Sequence, residues 1–143
     1  MKKTAPAGNR TDLMFRAFSD RTRLRILHLL QGREMCVGDL VSVLRIEQPS
    51  ASRHLAYLRR AGLVSARKAK NWIYYTLAPA QAPFHQKLLE CLACCFGEAP
   101  ELQADQERAK RVRGAGGCCP GQERAARPAK KPKGDKEDGC YPD

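Results

Sequence analysis

The residues with the most chemistry to offer are the seven cysteines. Cys91, Cys94 and Cys95 stand at i, i+3 and i+4, so in a helix Cys91 neighbours both others, with about 5–6 Å between Cβ atoms. Cys118-Cys119 forms a second group between Gly117 and Pro120. Thiolates are soft ligands that select thiophilic ions. Trivalent arsenic and antimony bind sulfurs in a pyramid, so Cys91, Cys94, Cys95, Cys118 and Cys119 could hold one without histidine or carboxylate. Structural zinc is a blander use of cysteines, but it wants a closed tetrahedral ligand set. Cys91-Leu92-Ala93-Cys94 also has the spacing of thiol redox motifs, which leaves disulfide switching open beside metalloid capture. A disulfide oxidoreductase enzyme would need a βαβ unit around that motif, and no such alternation is present. No nucleophile, base and orienting group cluster elsewhere, so an enzyme is not expected.

The elements that must carry these sulfurs can be read from the apolar spacing. Leu13, Met14, Ala17 and Phe18 share one face of a first helix. Ser19-Asp20 offers the cap of a second, bearing Leu24, Leu27 and Leu30, with Gly32 just past its end. A third helix begins near Val37 and buries Leu40, Val41 and Leu44. Pro49 suits the first turn of a fourth, which points Ala51, Leu55 and Leu58 inward and closes at Gly62. Leu63–Lys68 and Trp72–Leu77 alternate around Ala69-Lys70-Asn71 as one hairpin. A last helix over about 81–96 carries Phe84, Leu88, Leu92 and Cys95 on one stripe, with Cys91 at its border.

Composition sets the boundaries. A flexible N-terminus over residues 1–9 precedes a folded unit over 10–97, and 98–143 read as a largely disordered, cysteine-containing tail. That tail is rich in Gly, Pro, Lys and Ala, and it buries too little apolar surface to offset about 1–2 kcal/mol of backbone ordering per residue. A short helix over 101–113 is its one candidate element. No apolar run approaches the roughly 18 residues of a membrane span, and Met1-Lys2-Lys3 leads into no export signal. A cytoplasmic protein is expected, where thiols stay reduced and the odd cysteine count suits ligands better than bridges.

The chain of 143 residues carries 26 Lys+Arg against 15 Asp+Glu, a formal net charge of +11, and most of the excess lies in the first hundred residues. Arg45, Arg53, Arg59, Arg60, Arg67, Lys68 and Lys70 face Glu47 alone over residues 45–70. The third and fourth helices are separated by the short turn of a helix-turn-helix. The outward side of the fourth carries Ser50, Ser52, Arg53, Tyr57 and Arg60. Short hydroxyls and backbone N–H groups reach phosphates, and arginine can bond a guanine edge in bidentate fashion. Arg67, Lys68 and Lys70 would sit on a wing beside the backbone. The fold class expected is mainly α with a small β-hairpin, a dimeric winged helix-turn-helix, and the partner is double-stranded DNA with no membrane.

Phe15-Arg16-Ala17-Phe18-Ser19-Asp20-Arg21-Thr22-Arg23-Leu24-Arg25-Ile26-Leu27, Gln48-Pro49-Ser50-Ala51-Ser52-Arg53-His54-Leu55, Ala61-Gly62-Leu63-Val64 and Trp72-Ile73-Tyr74-Tyr75-Thr76-Leu77 resemble the ArsR/SmtB family of winged-helix repressors. The resemblance covers about residues 12–78. It implies a homodimer paired through the first and last helices, whose two recognition helices bind a palindromic operator and release it on metal or metalloid binding. It also implies DNA contacts from Gln48, Ser50, Ser52, Arg53 and His54, although His54 beside Leu55 suits a role in orienting the helix equally well. Arsenic-responsive members often show Cys-Val-Cys where this chain has Cys36-Val37-Gly38. A lone thiol cannot form that site, so Cys36 reads as a small buried residue. Other members hold zinc or nickel on the last helix with Asp, His and Glu. Here only His85 and Glu90 are nearby, so that site is expected to be absent. The expected inducer is arsenite or antimony on the C-terminal cysteines, and Cys140 has no assigned role.

Overall fold

The computed structural model describes residues 7–116. In chain order these form α1 (Ala7–Phe18), α2 (Arg21–Leu29), β1 (Met35–Cys36), α3 (Val37–Leu44), α4 (Gln48–Arg60), β2 (Val64–Ala69), β3 (Trp72–Leu77), α5 (Pro83–Cys95) and α6 (Pro100–Gly114). Helix boundaries follow the local chemistry. The Asp20 side chain accepts from Arg23 N at 2.9 Å, capping α2 as the sequence suggests. Such a cap stabilises a helix by about 1 kcal/mol. Gly62 takes φ +80° between α4 and the hairpin, a conformation that a side chain at that position would strain.

The apolar stripes meet in one core. Ile26 and Leu27 of α2, Leu30 at its C-cap, Leu40 and Leu44 of α3, Leu55 and Leu58 of α4, and Leu63 ahead of β2 are all buried there. Leu92 is the buried anchor of α5, while Phe84 and Leu88 pack half-exposed against the same core. Cys95, placed on that stripe by its spacing, is exposed. It ends the helix, past the turn in which Leu92 reaches the core.

Two elements differ from the sequence reading. The hairpin is joined by a third strand: β1 pairs antiparallel with β3, with Met35 opposite Tyr75 and Cys36 opposite Tyr74, and the sheet order is β1-β3-β2. A two-residue strand is too short for any alternation to reveal.

The second difference concerns the C-terminal boundary. The chain does not leave the body at residue 97. Helix α6 packs on α2 and α3, with Leu102, Asp105 and Ala109 buried beneath it. Asp105 accepts both Arg25 Nε and Arg25 Nη2 at 2.8 Å. Gln106 Nε2 lies 3.1 Å from His28 Nδ1 and donates to His28 O, and Arg33 donates to Gln106 Oε1 at 2.8 Å. The packed body therefore runs to Gly114. Polar pairing adds to the burial of Leu102 and Ala109 in docking this helix, and its partners lie far away in the chain, where sequence spacing does not show them. Removing one partner of a buried ion pair typically costs about 3–5 kcal/mol.

Candidate nucleic-acid interface and cysteine site

Helix α3 ends at Arg45, which adopts a left-handed conformation with φ 57°, and α4 starts at Gln48. This sharp turn sets α4 across the surface with its Ala51, Leu55 and Leu58 face buried. Gln48, Ser52, Arg53 and Arg60 are exposed on the opposite side, and Ser50 is half-buried. The hairpin turns through Lys70, itself at φ 55°, and leaves Lys68 and Lys70 exposed. These residues form a basic, hydroxyl-bearing helix face beside a basic wing, a surface suited to the phosphates and base edges of a duplex. Arg45 and Arg59 are exposed as well. They belong to the same charge run but were not singled out from the sequence, because only the turn geometry shows how they are presented.

Three of the expected contacts also have partners within the protein. His54 is half-buried, with Nδ1 3.8 Å from Asp20 Oδ1. The Tyr57 ring is approached by two guanidiniums, Arg23 at 4.1 Å and Arg60 at 5.2 Å from its centroid. Arg67 is paired with Glu34, its Nε donating to Glu34 Oε2 at 3.1 Å and its Nη2 to Glu34 Oε1, and it covers the Tyr74 ring at 5.0 Å. Its side chain nevertheless remains exposed.

The cysteines occupy the last turn of α5. Cys91 is half-buried, and Cys94 and Cys95 are exposed. The Cys94 and Cys95 sulfurs are 3.3 Å apart. Burial, together with a hydrogen bond to Cys95, pushes the Cys91 thiol pKa up. Cys91 and Cys95 are thiols, whereas Cys94 is disulfide-bonded. Cys118, Cys119 and Cys140 lie outside the described residues. Among the described residues, no group of three or more His, Cys, Asp or Glu is arranged to hold a metal ion. Glu90 is engaged by Lys87 and Gln86, and buried His85 accepts from Gln81 N at 3.4 Å. Cys36 is buried against Tyr74 beneath the wing, in keeping with its reading as a small core residue. No helix among the described residues is long and apolar enough to cross a membrane.

A three-stranded winged helix-turn-helix with a basic recognition face defines a DNA-binding regulator. The description "Bacterial regulatory protein, arsR family" matches residues 20–66, from the Asp20 cap through α4 into β2. The transcriptional activator HlyU of Vibrio cholerae serotype O1 is 39% identical over 82 residues, which cover 57% of this chain and 76% of that protein. The arsenical resistance operon repressor of Escherichia coli K12 is 41% identical over 78 residues, 54% of this chain and 67% of that protein. The solved structure of HlyU from Vibrio cholerae N16961 aligns with a TM-score of 0.52 at 35% identity, covering 64% of this chain and 94% of that one. The chain belongs to the ArsR family of DNA-binding transcriptional regulators.

Proposed function

We propose that this regulator is a cytoplasmic homodimeric repressor that leaves its double-stranded operator when trivalent arsenic or antimony is captured by C-terminal cysteines. The observation that carries this reading is the gathering of Cys91, Cys94 and Cys95 in one helical turn, with two sulfurs 3.3 Å apart and the third hydrogen-bonded to Cys95. The donor set is sulfur alone, as a soft trivalent ion prefers. A small-molecule thiol first reduces the disulfide at Cys94 to the thiol by two electrons and two protons and is itself oxidised; each As–S bond then replaces a hydroxide of arsenous acid by a thiol sulfur and releases water. The sulfurs of α5 are not arranged as a finished cage, so closing one requires movement of the helix end or sulfurs from Cys118 and Cys119. Either route links capture to a change of shape.

The DNA-contacting set proposed is Gln48, Ser50, Ser52, Arg53, Arg60, Lys68 and Lys70, with half-buried His54 and Tyr57 and the Glu34-paired Arg67 supporting it. The α1 and α5 faces support pairing with a second copy. Phe15 is 56% exposed, and its ring centroid lies 5.0 Å from that of Phe84. A shift at the end of α5 would then alter the spacing of the two recognition helices, which must match about 34–36 Å of duplex. A coupling of about 1–3 kcal/mol lowers operator affinity roughly 5- to 150-fold.

The test is duplex binding with arsenite added under reductant. Release at a threshold that Cys94→Ser/Cys95→Ser raises strongly is expected, and release unchanged in that variant would sink the assignment. The disulfide at Cys94 supports a second reading, a thiol switch in which two thiols lose two electrons and two protons to an oxidant such as peroxide. In that case oxidant without arsenite releases the duplex, and arsenite under reductant does not.

A further inference from the structure

The last carbonyls of a helix have no partner within it and must be met from outside. At the end of α3 two of them are met by arginines from other helices. Arg108 Nε of α6 donates to Val43 O at 2.7 Å, and Arg25 Nη2 of α2 donates to Leu44 O at 3.3 Å. One carboxylate holds both guanidiniums. Asp105, fully buried, takes Arg25 through both oxygens and also accepts from Arg108 Nη2. Glu101 adds a further contact to Arg25, 3.6 Å from its Nη1. Beyond these carbonyls come Arg45 in its left-handed conformation, then Ile46 and Glu47, and then Gln48, the first residue of α4.

We propose that Arg108, Arg25 and Asp105 are positioning residues for DNA binding: through them α6 grips the carbonyl end of α3 and so sets how α4 enters the groove. An ion pair that merely docked α6 could sit anywhere along α2 and α3. Here its hydrogen bonds end on the two carbonyls beside the recognition turn. Arg108 is only partly exposed and is bonded on two sides, to Asp105 and to Val43 O, so its guanidinium is directed into the protein. Its planar fork serves carboxylate and carbonyl at once, whereas a lysine ammonium is a compact point charge on a flexible stem.

Arg108→Gln in the full chain removes the contact to Val43 O and leaves the Arg25–Asp105 pair in place. Binding is read by fluorescence anisotropy on the duplex that the wild-type protein selects from a randomised pool, over a salt series, at a temperature where circular dichroism matches wild type. Affinity is expected to fall about tenfold. The slope of log K against log salt should stay unchanged, and Arg108→Lys should recover part of the loss. A slope reduced by about one marks Arg108 as a phosphate contact and overturns the proposal. Wild-type affinity in the folded Arg108→Gln protein overturns it equally. A variant that cannot be recovered folded makes Arg108 a folding residue, and the proposal fails there too.

Discussion

The guanidinium of Arg23 lies 4.1 Å from the ring centroid of Tyr57, joining the first turn of α2 to the middle of the recognition helix. Arg23 is itself fixed, donating through Nη2 to Arg16 O at 2.8 Å and through its backbone N–H to the Asp20 carboxylate. Asp20 in turn lies 3.8 Å from His54. The junction of α1 and α2 thus supports α4 from behind through two residues, His54 and Tyr57. Both stand among the DNA contacts expected from the sequence.

If Tyr57 supports the helix through its ring, the hydroxyl is dispensable. Tyr57→Phe keeps the ring face under Arg23 and should bind duplex within about twofold of wild type. Tyr57→Leu loses the cation–π contact, worth about 0.5–2 kcal/mol, and should lower the unfolding midpoint. Anisotropy and denaturant titration of the two variants decide the matter. A large loss of affinity in Tyr57→Phe would restore the hydroxyl as a DNA contact.

The wing should divide by ion pairing. Arg67, Lys68 and Lys70 are all exposed, but Arg67 is also held by Glu34. Lys68→Ala and Lys70→Ala should each reduce the salt slope of binding by about one, the signature of a lost phosphate contact. Arg67→Ala should leave the slope within about half a unit of wild type. An Arg67→Ala slope that drops as far as the lysine variants would show that the pair with Glu34 opens on DNA.

Acid should weaken the fold before the carboxylates titrate. Burial lowers the pKa of His28, with Asp105 partly opposing, and burial together with Arg10 lowers that of His85. The unfolded chain therefore binds more protons than the native one as pH falls through the usual histidine value of about 6.5. Stability is present above that pH and is lost below it, by up to about 1.4 kcal/mol per pH unit for each group. Urea midpoints should fall between about pH 7.5 and 5.5. His85→Gln should flatten the fall, and an equal fall in that variant would remove His85 from the account.

Much of the fold was legible because it rests on local signals. The 3.6-residue recurrence of Leu24, Leu27 and Leu30, the Asp20 cap, Pro49 at the start of α4 and the alternation around Lys70 each act over a few neighbouring residues. The winged helix-turn-helix follows from them in order. The helical adjacency of Cys91, Cys94 and Cys95 was legible for the same reason, since spacing along one helix decides it.

What escaped was whatever depends on residues far apart in the chain. Nothing near Arg67 announces Glu34, nothing near Tyr57 announces Arg23, and Asp105 lies in a polar stretch whose partner is Arg25. Sequence order alone settled that the chain has a basic recognition helix, a wing and a cluster of cysteines. Tertiary structure alone decided which of those polar groups face outward and which are spent inside, because an ion pair forms only where folding brings its two charges together. It also decided that α6 belongs to the body, since the buried Arg25–Asp105 pair forms only when residues far apart in the chain are brought together.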